Sequence, residues 1–334
     1  MAGRGTRLRP FTLSRPKPLL EIIDKPIVEH LIDQITSTLS SEIEEIVYIL
    51  GEEAYFDSTV VDSLTLISKK YNAKTKVYRQ LDKLGTGHAI MCAEESLSGP
   101  AIIAYADTMI QGKIEIDLKA DGMIWVKKVE DPSSYGVVNL DEEHNIKELI
   151  EKPKDFVSDL AVVGIYYFKE SSFLRDELKR HLKEKLEPGR EYLLNYGIEK
   201  MIEKNKIFKS QEIEIWMDCG TPQLLLESAK TIMKSKEKYS NENNFSREGK
   251  VIINHPVFIG KNVSLKNSTL GPNVSIGNNC VITDSKIQSS IVYNDSNISN
   301  ANINNSILGS NCNYDGSNKE IFLGDYSQIN NNEK

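Results

Sequence analysis

The chain opens "MAGRGTRLRPFT", two glycines spaced by one residue and followed at once by arginines. Gly3 and Gly5 allow close backbone approach and positive φ, so that successive N–H groups can face phosphate oxygens. Arg7 adds a bidentate charged fork. Other chemistry-bearing patterns are scarce. Cys92, Cys219, Cys280 and Cys312 show no C-x-x-C spacing, which argues against a zinc site and against a disulfide framework. The five histidines form no H-E-x-x-H, and no local signature supports a Ser-His-Asp nucleophile. A formal net charge of −7 speaks against a nucleic-acid surface, so an anionic ligand must be met by local positive charge.

Such residues need elements to position them. "EEIVYIL" (44–50), "AIIAYADT" (101–108), "GMIWVKKV" (122–129) and "LAVVGIYYF" (160–168) read as strands rich in β-branched and aromatic residues. Residues 25–37, 57–71, 85–97 and 171–186 place apolar side chains at helical spacing between them, with Pro26 in the first turn of its helix. This alternation predicts an α/β domain with a mixed, mostly parallel, Rossmann-like sheet. At 334 residues the chain has room for a second, smaller domain. Forty per cent apolar and 27% charged is ordinary globular composition. No apolar run is long enough to cross a membrane and the start lacks a signal-peptide pattern, so the expected location is the cytoplasm.

The polar stretch 234–250 reads as a helix end running into a linker, which sets the expected domains at 1–238, a linker at 239–250 and a second domain at 251–330. Helical periodicity then vanishes. Single aliphatics recur every five or six residues: Ile259, Leu265, Leu270, Ile276, Ile282, Ile287, Ile291, Ile298, Ile303 and Leu308. "FIGKNV", "TLGPNV" and "SIGNNC" share an aliphatic-Gly-x-Asn pattern. This hexapeptide repeat predicts a short left-handed parallel β-helix, with the aliphatics inside and Gly and Asn at the corners.

The N-terminal motifs resemble those of the sugar-1-phosphate nucleotidylyltransferases, whose signature is G-x-G-T-R-L-x-P, then a lysine, then K-P. Here these are Gly3, Gly5, Thr6, Arg7, Leu8 and Pro10, then Lys17, then Lys25 and Pro26. Further motifs follow in family order over about 220 residues. The resemblance implies that Gly3, Gly5, Thr6, Gln80 and Gly85 bind the nucleotide, Gln80 at the base edge. It assigns Arg7 and Lys17 to catalysis. "AYADT" and "WMDCG" supply Asp107 and Asp218 as Mg²⁺ ligands, and Gly136, Glu151, Lys152 and Gly164 form the sugar-phosphate site.

The implied reaction is attack of a sugar 1-phosphate oxygen on the α-phosphorus of a nucleoside triphosphate, with loss of pyrophosphate. The nucleophile is already an anion, so positioning and charge neutralisation suffice. The segments are most like long-form bacterial glucose-1-phosphate thymidylyltransferases. That implies dTTP and glucose 1-phosphate as substrates, polysaccharide precursors as the destination, and a homo-oligomer assembled through the β-helix. Guanylyltransferases of mannose 1-phosphate and uridylyltransferases share most of these motifs.

The family's "EYQLTD" reads "EYLLNY" (191–196) here, with Asn195 left to cap the following helix. In the family the glycine-rich turn follows a buried strand. The start at Met1 therefore implies a longer natural chain with that strand in front. Two other readings stand beside this one. A hexapeptide acyltransferase needs a histidine base in its helix, and His255, the sole histidine after residue 181, lies before the first clear coil. A non-catalytic sugar-nucleotide-binding homologue does not need both aspartates and Lys17.

Overall fold

The computed structural model describes residues 2–39, 42–235, 245–316, 322–323, 325 and 328–330. Packing divides the chain into two compact units, Met1–Gly3 with Leu31–Trp216, and Arg4–His30 with Met217–Lys334. The glycine-arginine turn therefore belongs to the same unit as the C-terminal repeats. In chain order the elements up to the repeats begin with β1 (Glu21–Ile22), β2 (Lys25–Pro26), α1 (Ile27–Thr38), β3 (Glu45–Leu50), α2 (Ser58–Lys69) and β4 (Lys74–Arg79). They continue with α3 (Thr86–Met91), β5 (Ala101–Ala104), β6 (Thr108–Gln111), β7 (Gly122–Lys128), β8 (Gly136–Leu140) and β9 (Ile146–Glu151). The last six are β10 (Leu160–Phe168), α4 (Ser171–His181), α5 (Leu194–Glu203), β11 (Phe208–Glu212), β12 (Ile215–Asp218) and α6 (Pro222–Ser235).

The first unit is built on a mixed six-stranded sheet ordered β11-β7-β10-β8-β9, with β5 also on β10. The β11–β7 and β3–β4 pairs are parallel, while β10 runs antiparallel to β5, β7 and β8. Alternation along β7 and β10 buries both faces of this sheet. Ile124, Val126, Tyr166 and Phe168 pack with Leu174, Leu178 and Ile198 of α4 and α5, whereas Trp125, Val163, Ile165 and Tyr167 pack with Leu31 and Ile35 of α1. Such two-sided burial explains why β10 reads as an unbroken apolar run. Several expected bounds shift. The strand over 101–108 breaks at the turn 105–107 into β5 and β6, and the helix over 171–186 ends at His181 as α4. Pro26 lies in β2, one residue before α1, because it pairs with Glu21. The helix expected over 85–97 is only α3, followed by a 3-10 turn at Glu94–Ser96.

The repeats form a β-solenoid of three parallel sheets with six, five and four strands. Residues 239–244 of the expected linker lie outside the described residues, and Phe245–Glu248 is already the first strand of the six-stranded sheet. Ten corner residues spaced five or six apart take positive φ: Asn262, Asn267, Asn273, Asn279, Asp284, Ser289, Asp295, Asn300, Asn305 and Asn311. Asparagine and aspartate tolerate this left-handed conformation better than other side chains, which accounts for their abundance. They also bond from coil to coil. Asn262 Nδ2 donates to Asn279 Oδ1 at 3.1 Å, and Asn279 Nδ2 to Asp295 Oδ1 at 2.9 Å.

The aliphatic positions fill the interior, with one register correction. Val292, not Ile291, stacks between Ile276 and Leu308, so Ile291 points outward, between Ser275 and Ile307. These outward residues are nonetheless buried, Ile291 at 2% and Ile307 at 0% exposure.

Candidate active site

In the second unit, Gly5 takes φ +60° and starts the 3-10 turn Thr6–Leu8. Gly3 does not share this conformation, and a Cβ there meets open space, so of the two glycines only Gly5 is demanded by the backbone. A Cβ on Gly5 would stand 3.0 Å from Lys17 Cβ, and Thr12 Oγ1 donates to the Gly5 carbonyl at 2.8 Å. The turn is thereby strapped to the segment that carries Lys17, which is itself buried at the head of a second 3-10 turn, Lys17–Leu19.

The same unit brings Asp218 to Arg7. A Cβ on Gly220 would lie 2.9 Å from Asp218 Oδ1 and 3.1 Å from Arg7 Nη2, so the glycine keeps open a notch between a carboxylate and a guanidinium. Asp218 is not the cap of α6: Thr221 Oγ1 accepts from Leu224 N at 3.3 Å. Cys219, next in sequence, is buried with its Sγ 3.8 Å from Ser228 Oγ. The donor at the notch is thus oxygen, which suits a hard cation such as Mg²⁺ held by one or two carboxylates plus substrate phosphates. Among the described residues no three His, Cys, Asp or Glu side chains form a self-sufficient metal cage.

The first unit gathers the residues expected at the base and the sugar. Gln80 is buried, with Nε2 2.9 Å from the Gly85 carbonyl and 3.2 Å from His88 Nδ1. Its amide nitrogen therefore closes the loop 80–88, a role that sequence reasoning did not anticipate. Gly85 has φ +110°, and a Cβ there would stand 2.6 Å from the Tyr192 carbonyl. Gly87 N donates to that carbonyl at 2.7 Å and Tyr192 N to the Leu84 carbonyl at 2.8 Å, so "EYLLNY" is laced to the loop 80–88.

This segment also reaches the residues expected at the sugar. Asn195 Nδ2 donates to Glu151 Oε2 at 3.1 Å, and a Cβ on Gly136 would stand 3.1 Å from the same oxygen. Asn195 does not cap α5: Leu193 occupies the cap position without a side-chain bond, and Leu194 N instead donates to Thr86 Oγ1 at 3.0 Å. Lys152, at φ +45°, holds its Nζ 3.8 Å from Glu151 Oε1, with both side chains largely exposed. Gly164 is required by Tyr105, whose ring would be 2.7 Å from a Cβ there. Burial pushes the Tyr105 hydroxyl above its ordinary range, while Thr86 and Tyr166 hydrogen-bond it and Glu151 and Asp107 add negative field. Asp107 lies in the turn joining β5 to β6. Asn195 entered the motif reading only as a helix cap, while Thr86, Tyr105 and Gly220 were not singled out. Of these, Tyr105 and Gly220 lie inside the quoted "AYADT" and "WMDCG".

The chain belongs to the nucleotidyl transferase family, whose model matches residues 1–235. It is 32% identical over 268 residues to the bifunctional protein GlmU of Methanococcus maripaludis, covering 78% of this chain and 61% of that protein. It is 30% identical over 232 residues to the mannose-1-phosphate guanylyltransferase catalytic subunit beta of Drosophila pseudoobscura pseudoobscura, covering 66% and 58%. The chain thus spans between 58% and 61% of these relatives' lengths. A UDP-glucose pyrophosphorylase complexed with UDP-glucose superposes with TM-score 0.56 at 23% identity, covering 70% of this chain and 97% of that one. A nucleoside-diphosphate-sugar pyrophosphorylase from Vibrio cholerae RC9 gives 0.59 at 16%, covering 69% and 98%. These likenesses establish the fold, a nucleotidyltransferase α/β domain followed by a β-solenoid. Among the described residues no helix is long and apolar enough to cross a membrane.

Proposed function

We propose that the protein transfers a nucleotidyl group from a nucleoside triphosphate to a sugar 1-phosphate. The observation that carries this reading is the notch at Gly220, which Arg7 and Asp218 both approach within about 3 Å. A guanidinium and a carboxylate with a gap between them suit a phosphate chain bridged by a cation. Arg7 and the Gly5 turn hold the triphosphate, joined in the nucleotide site by Gly3, Thr6, Gln80 and Gly85. Lys17 neutralises charge on the α-phosphate and on the departing pyrophosphate. Lys152 orients the incoming phosphate, while Glu151 and the strand positions Gly136 and Gly164 receive the sugar. Asp107 and Asp218 are the carboxylates for Mg²⁺, which when bound offsets the charge of the two substrates. One sugar-phosphate oxygen forms a bond to the α-phosphorus as the bond to the pyrophosphate oxygen breaks. No proton needs abstraction, which matches a site whose reactive equipment is cationic.

Within this class the pair proposed is dTTP and glucose 1-phosphate, on the likeness of residues 126–138 and 151–168 and of the domain plan to thymidylyltransferases. The likeness to the Drosophila guanylyltransferase subunit favours GTP and mannose 1-phosphate as the second reading. The proposed setting is the cytoplasm, with the solenoid as the oligomer contact and polysaccharide precursors as the product's destination. Pyrophosphate release over a panel of triphosphates and sugar 1-phosphates tests both levels. Fastest release with dTTP and glucose 1-phosphate is expected. Release with another pair overturns the substrate alone, and none with any pair overturns the transferase reading in favour of a binding protein.

A further inference from the structure

The solenoid's outward Ile291 and Ile307 are buried, and next to them the corner Tyr293–Asn294 lies in the same compact unit as residues 4–30. Tyr293 is 4% exposed, and the ionisable groups around its ring are Glu21, Arg15, Asp325 and Cys219. Its hydroxyl has no hydrogen-bond partner among the described residues, so it is packing, and not a bond of its own, that holds this ring there. Asn294 Oδ1 accepts from Asn278 N at 2.7 Å within the solenoid, while its Nδ2 donates to Glu21 Oε2 at 3.4 Å. Asp325 bridges in the same way. Its Oδ1 accepts from Ser310 N at 3.1 Å, and its Oδ2 accepts from the Ser14 hydroxyl. Lys230 of α6, which follows the Asp218 strand end, reaches Asn305 Oδ1 at 3.4 Å.

These anchors fall on both sides of Lys17. Ser14 lies three residues before it and Glu21 four after, and between them the chain makes the 3-10 turn that buries Lys17 against Gly5. Fixing a loop at both ends restricts its backbone before binding and so lowers the entropy lost when it meets a ligand.

We propose that Asp325 and Asn294 are positioning residues for the triphosphate segment, so that the solenoid holds the catalytic loop in its binding geometry in addition to any part it has in assembly. The proposal rests on reading residues 5–17 as a triphosphate site. Neither residue touches substrate; each acts through Ser14 or Glu21 on the segment that carries Lys17.

The test compares the full-length protein with Asp325→Ala, Asp325→Asn, Ser14→Ala and Lys17→Ala. Binding of magnesium tripolyphosphate, which probes the segment without any base, is followed by calorimetry, and backbone order by amide hydrogen exchange over residues 10–22. In Asp325→Ala the affinity falls about fivefold, the worth of one hydrogen bond of about 1 kcal/mol. Exchange rises in residues 10–22 and stays unchanged in 80–90. Asp325→Asn, whose amide can donate to the Ser14 oxygen, keeps both near wild type. Ser14→Ala reproduces the loss from the loop side while leaving the Ser310 bond intact, so the outcome does not depend on the coil surviving Asp325→Ala. Wild-type affinity and exchange in both Asp325→Ala and Ser14→Ala overturn the proposal. Undiminished binding in Lys17→Ala overturns instead the triphosphate reading beneath it.

Discussion

Asn195 is the residue whose meaning changes most between sequence and structure. Helix-starting position and type suggest a cap, yet its amide is spent on Glu151 and the cap function passes to Thr86 from another segment. Nothing local announces this, because the partner is 44 residues away. If Glu151 receives sugar hydroxyls, its carboxylate needs a fixed direction. Asn195→Ala is therefore expected to raise the sugar 1-phosphate KM about tenfold, the cost of a hydrogen bond to a charged group, while the triphosphate KM stays unchanged. Steady-state kinetics with each substrate varied in turn checks it. Gly85→Ala is expected to act on the other substrate. At φ +110° and 2.6 Å from the Tyr192 carbonyl, a methyl group forces the loop 80–88, proposed to bind the base, away from "EYLLNY". Nucleotide binding by calorimetry should be lost with little change in sugar-phosphate binding, whereas a wild-type nucleotide affinity refutes this use of the loop.

At the scale of elements, the strands and helices follow from periodicity, and the solenoid follows from the spacing of its aliphatics. Ile303 is fully buried in the coil stack, so Ile303→Ala is expected to cost about 2–5 kcal/mol, through lost burial and the cavity left behind. Val281, on a strand of the same solenoid but 42% exposed, should tolerate alanine within about 0.5 kcal/mol, and urea denaturation of the two variants distinguishes inside from outside. Cys280 gives the coil a pH dependence. Burial pushes its thiol up to about 11 from an ordinary 9.0, against the lowering effect of backbone bonds from Ser296 and Asp295. The folded protein keeps this proton where the unfolded chain has lost it. Its contribution is therefore complete below about pH 9 and falls away as the pH rises toward 11, a span worth about 2–3 kcal/mol. Urea midpoints followed through this window should drop more steeply for the wild type than for Cys280→Ala, and parallel curves would assign the loss to other groups.

For the whole molecule, the proposed reaction brings two polyanions together on a chain of net charge −7, and the proposal assigns their neutralisation to local cations and Mg²⁺. Removing divalent metal with EDTA is expected to abolish pyrophosphate release and to leave the ligand-free melting temperature unchanged, since the described residues form no structural metal cage. Adding Mg²⁺ with the triphosphate should then raise that temperature, the added stability being about 2.7 kcal/mol at a hundred times Kd. A melting temperature that falls with EDTA alone would point to a metal built into the fold.

By itself the sequence determined the class of protein and its order of elements, and it named the residues proposed for the site. These depend on local quantities: side-chain type, strand and helix period, and the spacing of glycines, charges and aliphatics along a few turns of chain. Tertiary structure alone decided which of these groups touch. It gave Gln80 the task of closing its own loop, set Gly220 between Arg7 and Asp218, turned Val292 instead of Ile291 into the coil, and placed Ser14 and Glu21 against residues some 270 to 310 positions later. Contacts of that kind arise from packing of whole elements, where a register shift of one residue in a strand reverses which side chain faces inward.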